Sequence, residues 1–210
     1  MALAREEPPA PSVLVQTIRG KNFYLCSGAL ISPDQVLSTA HCLDHADKIR
    51  ISTDPRLTPS TRWVDAATWK THPSYTGNNF NGYDLGSITL KDRVQFRIFF
   101  SPTAPVPAQI QSRILKRSGF GFRNGGNSRA EFVESGEKLE FAPHYVQCRD
   151  DSAVLGDSGA PVFFRQGRRL LLIGLHTGRK QNESGQLENY SNTVLLTLET
   201  IDWIKKKAAR

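Results

Sequence analysis

The chain is built from short β-favouring runs that turn residues interrupt every few positions. In the N-terminal part, four such runs are closely punctuated by Gly, Pro and Asp: 13–15, 23–25, 29–31 and 36–38. The second half contains further β-favouring segments, within 113–122, 138–148, 160–164, 170–176 and 192–198. This pattern predicts an all-β fold, either a barrel or a sandwich.

A proline-rich stretch near the midpoint, residues 101–107, is typical of an exposed connector. In residues 199–205 the period changes: the apolar residues fall on one helical face, and Lys205 lies at the C-terminal end, where the helix dipole favours a cation. We therefore predict two small β-barrels and a C-terminal helix. The predicted parts are an N-terminal extension, a first barrel, a linker, and a second barrel with the helix: 1–10, 11–100, 101–112 and 113–210.

The composition is that of a soluble globular protein that can fold unaided. The chain has 210 residues, 39% of them hydrophobic and 22% charged, and no apolar run is long enough to span a bilayer. The formal net charge of +7 is spread over most segments. It predicts a solvated basic surface or, as the alternative, attraction to an acidic partner. Aromatic and basic residues are not interleaved as in nucleic-acid motifs, so we expect no nucleic-acid partner.

A glycine-flanked serine is the first candidate for chemistry. In Gly156-Asp157-Ser158-Gly159, the flanking glycines let backbone N–H groups converge on one point. We interpret Ser158 as a nucleophile and the amides of Gly156 and Ser158 as an oxyanion hole. Taken alone, the same string is equally compatible with an ordinary turn.

A histidine beside a cysteine is the second candidate. Cys26 and Cys42 flank one hydrophobic segment, and a disulfide between them would fix the backbone next to His41 as a general base. Disulfides form in oxidising compartments, so we expect a secreted or periplasmic protein. The N-terminal residues lack the apolar core of a signal peptide, so we expect the signal to be missing from this chain or export to use another route. The third cysteine, Cys148, is predicted to be a small buried side chain.

An aspartate at the start of an apolar strand is the third candidate. Asp84 precedes Leu85 and would be half-buried, which suits a carboxylate that orients an imidazolium. In isolation, a turn or strand-start aspartate explains it equally well. No carboxylate or Cys/His cluster has metal-ligand spacing, so we predict neither a metal nor a cofactor.

Together these segments resemble the trypsin/chymotrypsin family of serine peptidases, from about residue 11 to 203. The block that ends in His41-Cys42 is one substitution from the family's Thr-Ala-Ala-His-Cys, and the order His, Asp, Ser agrees. Residues 118–121 are similar to the family's Gly-Trp-Gly strand, and 201–204 to its C-terminal helix. The resemblance implies two six-stranded antiparallel barrels with the catalytic site between them. It also implies a serine endopeptidase that acts on proteins or peptides through an acyl-enzyme, with His41, Asp84 and Ser158 as the triad.

The chain departs from the family in its activation signal. Family zymogens are cleaved to free an Ile or Val amine, which pairs with the Asp before the nucleophile. Asp157 stands at that position, but no Ile-Val-Gly-Gly-like start precedes Pro11. We expect another group to satisfy Asp157 and the enzyme to be active without processing. The missing pocket disulfides make it similar to a minimal bacterial member.

The resemblance also suggests the substrate pocket. Ser152, six residues before the nucleophile, would lie at its base, and the lack of an aspartate there disfavours trypsin-like cleavage, although Asp150 and Asp151 are close in sequence. The remaining predicted pocket residues are His176, Thr177, Gly178 and Asn192. Two specificities stay open: apolar or small residues, or Glu held by His176 as in glutamate-specific relatives. Two rival functions also stay open, a basic binding module on the same fold and an esterase.

Overall fold

The computed structural model describes residues 10–80, 82–96, 98–105, 115–133, 138–142, 144–150, 152–181, 184 and 186–206. Its strands form two large sheets that follow one another along the chain. The first contains β1 (Ser12–Arg19), β2 (Asn22–Ser32), β3 (Gln35–Ser38), β4 (Lys48–Ser52), β5 (Val64–Thr71) and β6 (Gly86–Leu90). A short helix, α1 (Ala40–Leu43), follows β3.

The first sheet is a closed six-stranded barrel in the order β1-β2-β3-β6-β5-β4. It closes because β1 pairs with β2 on one side and with β4 on the other. Val13 and Val15 lie two residues apart on β1, so both point into the same apolar core. The two predicted runs at 23–25 and 29–31 belong to the single strand β2, because Gly28 continues the strand rather than ending it.

The second sheet is formed by the C-terminal half of the chain. Its strands are β7 (Phe100–Pro102), β8 (Lys116–Gly119), β11 (Ala130–Val133), β12 (Lys138–Ala142), β13 (Tyr145–Arg149), β14 (Pro161–Gln166), β15 (Arg169–Gln181) and β16 (Leu187–Leu195). The order is β11-β8-β14-β15-β16-β13-β12, and the hairpin β9 (Phe122–Arg123) and β10 (Gly126–Asn127) stands apart. The two outermost strands, β11 and β12, are consecutive along the chain, and residues 134–137 between them lie outside the described part.

The start of the predicted linker carries a strand that the sequence did not suggest. Strand β7 pairs in parallel with β15, and Phe100 of this strand is buried. A proline is tolerated here because β7 is short and lies at the margin of the sheet. The predicted domain boundaries stay predictions, and residues 106–112 of the linker lie outside the described residues.

A C-terminal helix, α2 (Leu198–Lys205), packs beside the two sheets. At its first turn the Thr197 hydroxyl accepts a hydrogen bond from the N–H of Thr200, and the Thr200 hydroxyl accepts one from the N–H of Thr197. This reciprocal capping satisfies two otherwise unpaired amides. The predicted all-β fold with a C-terminal helix is confirmed. Within the described residues, no helix combines the length and the apolar character needed to cross a bilayer.

An apolar cluster connects the two halves behind the candidate site. Leu37 and Leu85 of the first barrel pack in one cluster with Phe163 and Leu175 of the second sheet. A hydrogen bond of 2.7 Å between the hydroxyls of Ser12 and Ser118 joins the same two halves. The side chains that the two halves contribute to the cleft are therefore held in a fixed relation.

Candidate active site

Asp84 forms two hydrogen bonds with His41, one with its ring and one with its backbone N–H. The ring Nδ1 of His41 lies 2.7 Å from Asp84 Oδ2, and the backbone N–H of His41 donates to Asp84 Oδ1 at 2.9 Å. Asp84 is fully buried, whereas the His41 side chain is 22% exposed. Because an ionised carboxylate only accepts hydrogen bonds, the proton of the neutral ring resides on Nδ1. The other ring nitrogen, Nε2, is therefore left as the basic atom.

The predicted disulfide between Cys26 and Cys42 is confirmed. It ties β2 to α1 next to His41, so this histidine is held on a cross-linked segment. The ligand atoms of Cys26, His41 and Cys42 lie within 4.8 Å of one another, but the disulfide consumes both thiolates that a metal would require. Cys148 is buried, as predicted, and takes no part in the disulfide.

The loop that carries Ser158 has a backbone that glycine alone can adopt without strain. Gly156 has a φ of +95° and Gly159 a φ of +81°. A Cβ at position 159 would lie 2.2 Å from the carbonyl oxygen of Ser27. The glycines predicted to free the backbone around Ser158 are thus required by both conformation and space.

Ser27 fastens this loop to the first barrel. Its N–H donates to the Ser158 carbonyl at 2.7 Å, and its hydroxyl donates to the Gly156 carbonyl at 2.8 Å. The same hydroxyl accepts from the N–H of Phe120 at 2.8 Å. Sequence reasoning missed this residue, although its place directly after Cys26 was a signal that it lies beside the disulfide.

Asp157 is buried and neutralised within the chain. Arg123 forms a two-point ion pair with it, through Nη1 to Oδ1 at 3.0 Å and through Nη2 to Oδ2. The N–H groups of Gly121 and Val154 donate to the same carboxylate at 2.9 and 3.1 Å. Burial alone would raise the pKa of Asp157, but the Arg123 hydrogen bonds and the charge of Arg117 hold it below its ordinary value. The expectation that another group satisfies Asp157 is confirmed, and that group is Arg123.

A second buried ion pair lies beneath the predicted pocket. Arg117 is fully buried, and its Nη1 donates to Asp150 Oδ2 at 2.6 Å. Its Nη2 donates to the Ser152 hydroxyl at 2.8 Å and lies 3.9 Å from Asp157 Oδ2. Burial opposes ionisation of Asp150, but Arg117 and hydrogen bonds from Ser152 hold its pKa below the ordinary value. Asp150 is therefore bound to a cation of the chain, and Asp151 lies outside the described residues.

Two adjoining cavities meet at Ser158, and His41 and Leu155 border both. The first, of about 480 Å³, contains three of the predicted pocket residues, His176, Thr177 and Gly178. Its other lining residues are Asn79, Phe80, Ala153, Val154 and Arg179. Ser152 and Asn192 do not line this cavity.

Ser152 and Asn192 are engaged behind the cavity wall. The Ser152 hydroxyl is shared between Arg117 and Asp150. The backbone carbonyl of Asn192 accepts from the Thr177 hydroxyl at 3.1 Å, so this strand supports a residue that does line the cavity.

His176 forms a fully buried, neutral part of the first cavity. Burial and the neighbouring charge of Arg117 lower its pKa to about 3, against the partial opposition of Asp157 and Asp150. Its Nδ1 and the side-chain Nδ2 of Asn192 are buried without a hydrogen-bond partner within the described part of the chain. Two polar atoms without partners are therefore buried at the wall of this cavity or behind it.

Comparison with known proteins agrees with this architecture. The family model Trypsin matches residues 5–204. Among solved structures, HL collagenase is similar with a TM-score of 0.71 and 17% identity, over 93% of this chain and 92% of that chain. A Glu endopeptidase in complex with MPD is similar with a TM-score of 0.67 and 16% identity, over 93% and 89% of the two chains. At these low identities the TM-scores show a shared fold and nothing more, whereas the family match extends over nearly the whole sequence. The chain belongs to the Trypsin family.

Proposed function

We propose that this protein is a serine endopeptidase whose catalytic triad is His41, Asp84 and Ser158. The observation that carries the proposal is that His41 makes two contacts with the buried Asp84 and borders the same cleft as Ser158. A carboxylate with both oxygens committed to one histidine fixes its tautomer and its ring plane. Family membership supports a hydrolase of this class.

The proposed reaction begins with attack of Ser158 Oγ on the scissile carbonyl carbon. The Oγ proton passes to His41 Nε2, and the carbonyl oxygen becomes an oxyanion bound by the N–H groups of Gly156 and Ser158. Collapse of the intermediate breaks the C–N bond, and the leaving amine takes the proton from His41. Water then hydrolyses the acyl-enzyme ester by the same proton transfers in reverse order.

The two ends of this machinery are supported by different contacts. Disulfide-linked α1 and buried Asp84 hold the base, whereas Arg123 of the second half and Ser27 of the first barrel hold the oxyanion loop. Because Asp157 is already paired with Arg123, we propose that activity does not require a newly freed N-terminal amine. We propose that the division at residues 101–112 separates the two halves of the site.

The buried charges support a primary specificity that is not trypsin-like. Asp150 is compensated by Arg117, and the additional cation Arg179 borders the first cavity. Within the described lining no unpaired carboxylate is available to a Lys or Arg side chain of a substrate. Apolar or small residues fit the Ala153 and Val154 wall, and the Glu alternative rests on His176, which lines the same cavity. The similarity in fold to a Glu endopeptidase is compatible with the second alternative.

Active-site labelling tests the proposal. We expect a fluorophosphonate to label wild type and not Ser158→Ala, while Ser152→Ala, which keeps the nucleophile, stays labelled. If wild type resists labelling as fully as Ser158→Ala does, the proposed nucleophile is refuted and the binding-module function is favoured. A peptide library would then separate an endopeptidase from an esterase, because an esterase would accept labelling and small esters but leave every peptide intact.

The disulfide supports an oxidising location, and we propose a secreted or periplasmic protein that acts on protein or peptide substrates. The attraction to an acidic partner stays a prediction from composition.

A further inference from the structure

Exposed apolar side chains are concentrated around Ser158. Among the described residues, six large hydrophobic side chains are exposed. Four of them line the second cavity, of about 510 Å³: Phe23 at 64%, Tyr24 at 47%, Phe122 at 57% and Leu155 at 89% exposure. A contiguous exposed apolar surface costs solubility, so its presence at one place indicates a binding surface. We call these four residues the aromatic rim.

The aromatic rim is built from both halves of the chain. Phe23 and Tyr24 lie on β2 of the first barrel, Phe122 begins the β9 hairpin, and Leu155 lies in the loop before Gly156. The guanidinium of Arg19 stacks on the Tyr24 ring at 4.9 Å and donates to the His41 carbonyl at 2.8 Å. This contact holds the Tyr24 ring in a fixed place next to the candidate base.

The position of Ser158 relates the rim to one end of a bound peptide. The first cavity contains His176, Thr177 and Gly178 on β15. Strand β14 pairs with β15 as far as Leu175, and the His176 backbone still bonds to Gly159 and Ala160. Within the described residues, the edge of β15 from Thr177 onward therefore has no β14 partner and is open to an extended peptide. The acyl segment of a substrate thus occupies the first cavity, and its continuation beyond Ser158 passes over the aromatic rim.

We infer that the aromatic rim binds the leaving-group side of the substrate and selects bulky apolar residues after the scissile bond. The inference rests on the proposed endopeptidase function and adds a second determinant of specificity to it. The lining chemistry favours an apolar occupant, because apart from His41 the one charged lining residue among those described is Arg19, whose guanidinium is already engaged. A bulky side chain there would cover apolar surface that is otherwise exposed to water.

Partitioning of the acyl-enzyme between water and added amines tests this directly. The acyl-enzyme is formed from a small ester, which carries no peptide on the leaving side. An added amino-acid amide then attacks the acyl carbon: its nitrogen forms the new amide bond, the ester bond to Ser158 Oγ breaks, and the amine proton returns to Oγ through His41. We expect leucinamide to be captured about five- to tenfold better than glycinamide, the range for partial burial of one leucine side chain.

Substitutions locate the preference on the rim. Phe122→Ser should reduce the preference for leucinamide to about twofold or less, since part of the apolar surface is removed. The control is Leu198→Ser, which removes another exposed apolar side chain, 75% exposed, at the start of α2, and should leave the preference unchanged. Should Phe122→Ser fail to fold, Phe23→Ser on the opposite wall is expected to reduce the preference in the same way.

The outcomes separate this inference from the function on which it rests. Absence of any acyl-enzyme refutes both. The inference is overturned, and the endopeptidase proposal is kept, if the acyl-enzyme reacts equally with leucinamide and glycinamide. The same holds if the rim variants keep the wild-type preference for leucinamide. A dimer that Phe122→Ser dissociates without changing the partition would assign the rim to a second copy of the chain, and would also overturn it.

Discussion

The substitution Arg123→Gln should disable the proposed enzyme without touching the triad. In wild type the two nitrogens of Arg123 bind both oxygens of Asp157, a fully buried carboxylate that directly precedes Ser158. Glutamine removes the charge but preserves polarity and much of the length. The carboxylate would retain the N–H groups of Gly121 and Val154, with Arg117 at 3.9 Å as its nearest cation.

The size of the effect follows from these contacts. Breaking a buried ion pair by removing one partner typically costs about 3 to 5 kcal/mol. The lower end applies here, because the Arg123 side chain is 16% exposed and Asp157 keeps two backbone donors. We expect the free energy of unfolding to fall by about 3 kcal/mol. If the loop instead rearranges so that water reaches Asp157 in the folded protein, the same energy of about 3 kcal/mol sets the upper limit. The population of the active loop conformation then falls by at most about 10²-fold.

Denaturant unfolding and the rate of fluorophosphonate labelling measure the two effects. The control is Arg168→Gln, which removes an exposed arginine in the turn between β14 and β15 and should change neither quantity. The pair requires an ionised carboxylate, and the pKa of Asp157 is depressed below 3.8. The stability difference should therefore be complete above pH about 5 and shrink as the pH falls through the folded-state pKa. An Arg123→Gln protein that unfolds and labels like wild type would refute the reasoning.

Three further perturbations test other parts of the site. Asp84→Asn should lower kcat by about 10⁴-fold while protein stability stays measurable, because the amide favours the wrong His41 tautomer; wild-type kcat would exclude Asp84 from the triad. Gly159→Ala should destabilise the fold by about 2 kcal/mol more than Gly125→Ala, because both glycines have positive φ but only at 159 would the Cβ meet backbone, at 2.2 Å from Ser27 O. Equal effects in thermal unfolding would contradict the close approach. Finally, because His176 stays neutral in the folded protein, the free energy of unfolding should decrease as the pH is lowered from 6.5 to about 3, by up to about 1.4 kcal/mol per pH unit, since only the unfolded chain gains the His176 proton in that range. His176→Gln should flatten this dependence. An unchanged slope would argue against burial of His176 as a neutral group.

The sequence predicted features that depend on local pattern or on short blocks. The strand-rich fold, the C-terminal helix and the disulfide between Cys26 and Cys42 could be predicted because each leaves a signature in consecutive residues or in cysteine spacing. Strand β7 could not, because a proline-containing stretch does not predict a parallel pairing with residues 170–172. Local propensity says little about such long-range partners.

The charge pairs were beyond sequence reasoning for a similar reason. Arg123 lies 34 positions before Asp157, and Arg117 lies 33 positions before Asp150. In a chain rich in basic residues, spacing does not identify which arginine becomes buried. The need for a partner could be predicted from the cost of an isolated buried carboxylate. Its identity required the three-dimensional arrangement of the β9 hairpin.

One cation, Arg117, also connects the two ion pairs, and so links the predicted pocket to the loop that carries Ser158. Arg117 contacts Asp150 and Ser152 beneath the predicted pocket, and its Nη2 approaches Asp157 to 3.9 Å. Any change of charge near Ser152 therefore alters the field at the residue preceding Ser158, because little water intervenes to screen it. A carboxylate introduced at position 152 would meet the Arg117 guanidinium before it met a substrate. The charge of the predicted pocket and the conformation of the loop that carries Ser158 are therefore electrostatically coupled through Arg117, while Arg123 provides the second cation for Asp157.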